Sequence, residues 1–358
     1  MPQLDLSASS IDLTRTICDI PSVSGDEGAL ADLIDAAIRE LGHLEVYRDG
    51  DTIVARTMLG RAQRVVIAGH IDTVPINGNV PTRQVEIDGE AYLWGRGTVD
   101  MKAGVAVQLK LAAELTAPRV DLTWMWYDHE EVDADLNGLT RLSRTRPDLF
   151  AGDFAILGEP SGGQVEGGCN GNMRVMVRTH GVRAHSARSW IGENAIHQAA
   201  PILTRLTEYR AREVRVDGLD YREGLNAVRI GGGVAGNVIP DLCEVEVNYR
   251  FAPSRDAAGA EQHVRDVFAG FDIEILDVAA GARPGLDAPL AKEFVAAVGA
   301  VPRPKYGWTD VARFSAMGVP AVNYGPGDPA LAHHDEERVP LAQIEDVERG
   351  LRSWLTAS

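Results

Sequence analysis

Along the first half of the chain, residues able to ligate a divalent cation recur about every 30 positions, as His70, Asp100, Glu131 and Glu159. A further histidine stands late, in Ala332-His333-His334-Asp335-Glu336-Glu337. A hydrolytic two-metal site needs about three protein ligands per ion from imidazole and carboxylate, a carboxylate shared by both ions, and a position left open for water and substrate. This set supplies that inventory, with Asp100 between the ions, and leaves Glu130 unliganded and free to act as a base. Taken singly, a carboxylate after a strand is ordinarily a helix cap or a solvated loop charge, and one histidine is ordinarily a satisfied polar residue. The repetition argues otherwise. So does the Glu130-Glu131 pair, because adjacent acids at the end of an apolar run repel unless a cation binds them. His180, His197 and His263 lie outside the pattern and receive no role.

Such residues converge only if the fold brings them to one edge. Three segments, 64–70, 120–128 and 153–158, are nearly unbroken apolar runs (RVVIAGH, VDLTWMWYD, DFAILG), the pattern of strands buried on both faces. Helical spacing fills 101–115, where Val105, Leu109 and Ala112 share a face, and 27–41, which stops at the capping Gly42. The alternation predicts an open α/β sheet, whose strand carboxyl ends form one ligand-binding rim. His70 and Asp72 end the first run, Glu130 and Glu131 follow the second, Glu159 follows the third, and Asp100 precedes a helix.

From about Asn172 the texture changes: 174–179 and 244–249 alternate apolar with polar residues, as strands with one wet face do. The order there reads strand, helix (193–210), strand (227–231), strand, helix (257–268), strand (271–278), the ferredoxin-like βαββαβ arrangement. A helix over 291–298 and a strand over 321–324 return to the first pattern. The second domain is therefore predicted to be an insertion, with 1–171 and 286–358 forming a catalytic metal-binding domain and 172–285 the inserted one. A chain of 358 residues, 45% of them apolar, can fill two cores.

Composition excludes several partners. The 35 basic and 52 acidic residues leave a formal charge of −17, which repels phosphate backbones and anionic lipid, so neither nucleic acid nor membrane is an expected partner. The acidity also fits a metal site. Cys18, Cys169 and Cys243 are odd in number and never in a Cys-x-x-Cys pair, which points away from a disulfide scaffold and toward a reducing compartment. The first 12 residues carry no basic or apolar leader pattern, and no apolar run approaches the roughly 20 residues that span a bilayer. A cytoplasmic protein is expected.

With those residues placed, the sequence resembles the zinc-dependent peptidases and deacylases of the M20 family over nearly its whole length. Within the family it is most similar to the actinobacterial branch of the succinyl-diaminopimelate desuccinylases. The resemblance rests on Gly69-His70-Ile71-Asp72-Thr73-Val74-Pro75, Gly95-Arg96-Gly97-Thr98-Val99-Asp100-Met101-Lys102-Ala103-Gly104, Asp128-His129-Glu130-Glu131, Gly158-Glu159-Pro160 and Gly181-Val182-Arg183-Ala184-His185-Ser186-Ala187-Arg188. It implies a zinc-peptidase-like α/β catalytic domain with a mixed central sheet, and an inserted ferredoxin-like α+β domain through which two copies form a homodimer.

The resemblance also implies two Zn2+ ions per subunit, with Co2+ interchangeable. Asp100 would bridge them, His70 and Glu159 would complete one ion, Glu131 and His333 the other, and Asp72 would orient His70. His333 is favoured over His334 because the family's last ligand follows a small residue and stands four before a glutamate, here Ala332 and Glu337. By the same resemblance, His185 reaches into a partner's active site to stabilise an oxyanion. Asn237, in Gly236-Asn237-Val238-Ile239-Pro240, and Arg250 would hold polar and carboxylate groups of the substrate. Thr309 lies in Gly307-Trp308-Thr309-Asp310, which resembles the family's Gly-Thr-Ser-Asp loop.

Two departures stand out. Better-known desuccinylases carry Arg-Arg-Gly-Ser where this chain has Cys169-Asn170-Gly171-Asn172, so an arginine is missing there, and Arg183 and Arg188 are the candidates to replace it. Trp308 stands where threonine is usual. The reaction implied by the resemblance is hydrolysis of a small acylated amino acid, N-succinyl-LL-2,6-diaminopimelate, to succinate and LL-2,6-diaminopimelate, in lysine and diaminopimelate biosynthesis. Acetylornithine deacetylase, aminoacylase and dipeptidase activities share the metal set and are its rivals. A non-catalytic metal-binding scaffold is the rival from another class, and the presence of Glu130, all five ligands and His185 argues against it.

Overall fold

A computed structural model describes residues 4–357. Two compact units are present among these residues: 4–167, Pro284–Arg303 and 309–357 form one, and Gly168–Arg283 with Pro304–Trp308 the other.

The first unit is built on an eight-stranded mixed sheet. Its strands run in the order Glu45–Asp49, Thr52–Arg56, Asp121–Tyr127, Arg64–His70, Phe154–Leu157, Ala321–Asn323, Glu166–Gly167 and Arg303–Pro304. The pairings among the third to sixth are parallel. Every residue of Asp121–Tyr127 and Phe154–Leu157 is buried, as strands covered on both faces require. Register is what matters for the site. His70 lies opposite Tyr127, Ala68 opposite Leu157, and Leu157 opposite Asn323. These strands end nearly level, so the residues that follow them emerge on one rim.

The helix Lys102–Glu114, buried from Lys102 to Ala112, packs on the strand Arg64–His70. Its first turn comes so close to a strand exit that a Cβ on Gly104 would lie 2.2 Å from the Gly158 carbonyl oxygen; only glycine permits that approach. Asp100, just ahead of this helix, is carried to the same rim. Side chains from Leu13 and Ile17 through Ile67 to Phe294, Val347 and Trp354 share one core, which is why the segments before and after the insertion fold together. A smaller antiparallel sheet in this unit is ordered Arg338–Pro340, Glu90–Trp94, Arg83–Ile87.

The second unit is a four-stranded antiparallel sheet in the order Gly224–Gly232, Leu242–Phe251, Gly171–His180, Asp272–Ala279. Helices lie between the first and second of these strands in chain order and between the third and fourth, which is the ferredoxin-like topology. Alternate residues of Leu242–Phe251, from Cys243 to Phe251, are buried and share a core with Ala195, Ile202, Ala260 and Val264 of the helices. A hairpin of Glu213–Val216 with Leu219–Arg222 is added to it.

Two expectations change. The helix read over 193–210 is two, Ala195–Gln198 and Ala200–Glu208. Pro201 has no N–H to donate into the preceding turn, so one helix stops and another starts with the proline in its first turn, where the missing donor costs nothing. The strip 304–308, read as part of the catalytic domain, joins the second unit. There the Asn170 N–H donates to the Lys305 carbonyl at 3.2 Å and Trp308 Nε1–H to the Ala280 carbonyl at 3.1 Å. No helix among the described residues is long and apolar enough to cross a membrane.

Candidate metal centre

Asp100 stands between two histidines. Its Oδ1 lies 3.1 Å from His70 Nε2 and its Oδ2 3.4 Å from His333 Nε2. His333 Nε2 is in turn 3.0 Å from the Glu131 carboxylate. Potential ligand atoms of His70, Asp100 and Glu131 all lie within 4.8 Å of one another, a group that could hold a metal ion. A carboxylate with one oxygen toward each imidazole can be shared by two cations. Glu159 is buried after the exit of Phe154–Leu157 and lies outside that close group; its charge is felt at Glu130. His334 has no part in the cluster: its ring accepts from the Glu336 N–H at 3.1 Å.

Asp72 does more than orient a histidine. Fully buried, it faces His70 Nδ1 with its backbone oxygen at 3.1 Å and its Oδ1 at 3.4 Å, which leaves Nε2 pointed at Asp100. Its two side-chain oxygens also accept the Glu130 and Glu131 N–H groups, each at 3.1 Å, and Oδ2 accepts the Ser24 hydroxyl at 2.6 Å. One residue thus fixes His70, Glu130 and Glu131 in a single frame. The chain reaches that geometry through His129, whose left-handed φ of 58° costs roughly 1–3 kcal/mol. Its neighbours enforce the turn: Glu27 accepts the His129 N–H at 3.1 Å, and Asp128 contacts its Nδ1 at 2.7 Å. Arg141 spans both Asp128 oxygens at 2.9 and 3.0 Å. Ser24, Glu27 and Arg141 escape sequence reading because each acts on residues far away in the chain; a buried acid at the start of a helix reads simply as a cap.

The electrostatics follow from crowding acids out of water. Burial, with Glu159, Asp310 and Glu131 adding to it against the pull of His70, raises the Glu130 carboxyl well above the ordinary range. Burial also raises Glu131, opposed by its bond to His333. Burial opposes the charges of Asp100 and His70, yet the two histidines hold Asp100 low, while Asp100 and Asp72 hold His70 well above its usual value. Bonds from Asp100 and Glu131 raise His333 to about 10. Protons on the imidazoles thus offset carboxylates that cannot all be charged alone. A divalent cation does the same with two charges and releases those protons, so the donor set fits a metal.

The inserted unit holds the remaining expected residues. His185 is exposed, and its Nδ1 accepts the Ala187 N–H at 3.0 Å, which in the neutral ring leaves the proton on Nε2 as an outward donor. Beside it the Ser186 N–H donates to the Asn237 carbonyl at 2.9 Å. Arg183 is committed to Asp241 at 2.8 Å, whereas Arg188 is exposed at a kink, with φ −132° and ψ 47°. Arg250 donates from Nε to Asn248 Oδ1 at 3.1 Å, and burial pulls its pKa down, with Cys169 and Asp277 partly offsetting. In the first unit, Thr309 is buried and donates its hydroxyl to Asn323 at 3.0 Å.

Comparison with known proteins sharpens the picture. Residues 66–357 match the model of peptidase family M20/M25/M40. The chain is 54% identical, over 98% of its length and 99% of the relative's, to a Mycobacterium tuberculosis protein with the provisional name succinyl-diaminopimelate desuccinylase DapE. It is 48% identical, over 99% of its length and 98% of the relative's, to the succinyl-diaminopimelate desuccinylase of Corynebacterium glutamicum. In fold it resembles a tripeptidase from Staphylococcus aureus, with a TM-score of 0.77 at 20% identity, covering 99% of this chain and 98% of that one. The chain belongs to the M20/M25/M40 family of metallopeptidases and related amide hydrolases.

Proposed function

We propose that this protein is a two-zinc, cytoplasmic succinyl-diaminopimelate desuccinylase, which hydrolyses N-succinyl-LL-2,6-diaminopimelate to succinate and LL-2,6-diaminopimelate. One observation carries the reaction type: Asp100 is divided between His70 and His333, with Glu130 held in the same frame by Asp72. The full-length likeness to the two desuccinylases supports the substrate. Cysteines that are odd in number and never in a Cys-x-x-Cys pair suit a reducing compartment.

His70 and Glu159 would hold one ion, Glu131 and His333 the other, and Asp100 both. Zinc or cobalt bound there would polarise the amide carbonyl as a Lewis acid and lower the pKa of water toward neutrality. Glu130 takes a proton from the attacking water onto its carboxylate. A glutamate whose pKa is pushed up holds that proton better than an ordinary one, and it delivers the proton to the departing nitrogen as the C–N bond breaks. The products are a carboxylate and a free amine. Nε2–H of His185 donates to the oxyanion that develops on the amide oxygen. Arg250 and Asn237, with Arg188 or Arg183, bind the polar and carboxylate ends of the substrate.

In the homodimer we propose, His185 serves the active site of the second copy. The strand Gly224–Gly232 supports such an assembly, being an edge strand without a further neighbour among the described residues. Its Val228 and Ile230 are 58% and 51% exposed.

The test compares kcat/KM of the zinc-loaded protein on N-succinyl-LL-diaminopimelate and on N-acetylornithine. A preference of at least about tenfold for the succinyl substrate is expected. Preference for acetylornithine would keep the reaction type and overturn the substrate. Inactivity on both, in protein shown to hold two zinc ions, would overturn the assignment as a whole.

A further inference from the structure

We infer that the buried Arg96–Glu337 pair is a positioning device that sets the bridging Asp100 in register with His333, and thereby governs binding of the second metal ion. The inference rests on the two-metal reading above. Both side chains are inaccessible, 4% and 1% exposed, and Arg96 Nη1 lies 2.9 Å from Glu337 Oε2. The other oxygen of Glu337 accepts the N–H groups of Val99 at 2.8 Å and of Asp100 at 3.0 Å, so it grips the backbone of the bridging residue. On the opposite side, the His334 carbonyl accepts both Arg96 Nη1–H at 3.3 Å and the Glu337 N–H at 3.2 Å, which ties down the residue next to His333.

The fold explains why these two residues meet. The strands Glu90–Trp94 and Arg338–Pro340 pair with Arg338 opposite Trp94, and the Gly95 N–H continues the ladder to the Glu337 carbonyl at 3.0 Å. Arg96 and Glu337 therefore sit where the paired strands end. Asp100 comes four residues after one, and His333 four residues before the other.

A buried ion pair is poor value as a source of stability, since apolar replacements often do as well. An apolar pair could not, however, accept two backbone N–H groups on one side and bond a carbonyl on the other. His333 needs that help. Its side chain is 54% exposed, and it sits on a loop with a left-handed φ of 64°, a conformation that persists only where neighbours enforce it. His70, by contrast, ends a buried strand and is braced by Asp72. Loosening the clamp should cost the ion that depends on His333 far more than the ion that depends on His70 and Glu159.

The experiment is calorimetric titration of chelator-stripped full-length protein with Co2+, supported by the cobalt absorption spectrum, for wild type, Glu337→Gln and Arg96→Lys. Two equivalents are expected for wild type. In Glu337→Gln the second should weaken at least about tenfold, the range seen when a group supporting a metal ligand is lost, while the first changes less than about threefold. Arg96→Lys, which keeps the charge and loses the fork, should fall between the two, and it carries the test alone if Glu337→Gln fails to fold. Unchanged affinity for both equivalents would overturn the inference. So would equal weakening of both in variants whose apo circular dichroism matches wild type, the mark of a merely structural pair. Fewer than two equivalents in wild type would instead overturn the two-metal reading itself.

Discussion

The two units hold their functional groups in opposite ways. In the first, His70 and Asp72 are fully buried, and several candidate site residues are braced by other groups: Asp72 by Ser24, the Glu130–Glu131 turn by Asp72, the Asp100 backbone by Glu337. In the second, His185, Arg188 and Asn237 are exposed, and His185 keeps its Nε2 donor outward. A metal centre tolerates little error in ligand position, so it is worth strain at His129 and buried charge to assemble it in advance. Groups that recognise a substrate must instead keep their donors open until it arrives.

That contrast gives graded predictions. Glu130→Gln attacks the chemistry inside the braced unit, and kcat should fall about a hundred- to ten-thousandfold with both metal ions retained. Elemental analysis beside turnover checks it, and loss of an ion in this variant would make Glu130 a ligand. His185→Ala, on the open unit, should lower kcat by about a hundred- to a thousandfold with metal content untouched. Mixing this variant with Glu130→Gln chains should restore activity in heterodimers if each active site draws on both copies; none in verified heterodimers would remove His185 from a shared site. Arg250→Ala should act mainly on KM, raising it roughly ten- to a hundredfold, because a charge-assisted bond to a substrate carboxylate is lost. A change confined to kcat would move Arg250 out of recognition.

The smallest effect is one of stability. His263 lies in the inserted unit with its Nε2 2.9 Å from the Tyr209 hydroxyl and its ring 5.0 Å from that of Tyr249. Burial, with Arg255 and Arg212 outweighing Glu223 and Asp266, lowers its pKa. The folded state therefore favours neutral imidazole. This contribution is whole above the ordinary value near 6.5 and is lost as pH falls from there toward the folded value, because the unfolded chain takes up the proton first. Urea titrations between pH 8 and 5 should show wild type losing stability more steeply with acid than His263→Gln; parallel slopes would contradict the assignment.

Legibility in the sequence followed locality. The strand Arg64–His70, the exits that carry Glu131 and Glu159, and the inserted βαββαβ order were readable because apolar runs, alternation and turn residues report on a few neighbours at a time. The Asp88-Gly89 turn of the hairpin Arg83–Ile87 with Glu90–Trp94 and the helix break that Pro201 marks are local signals of the same kind. What no local pattern discloses is a carboxylate spent on distant backbone. Asp72 acts on amides 58 and 59 positions away, and Glu337 on amides 237 and 238 away. Either acid, read locally, is an ordinary loop charge. The strip 304–308 groups with the second unit through bonds of the same non-local kind, to Asn170 and Ala280.

The most direct test of the central claim is a crystal structure of the zinc-loaded protein with anomalous scattering recorded at the zinc edge. Two peaks are expected, one on either side of the Asp100 carboxylate, the first also bound by His70 and Glu159, the second by Glu131 and His333, with Glu130 on neither. A single peak, or Glu130 in place of one of those ligands, would contradict it.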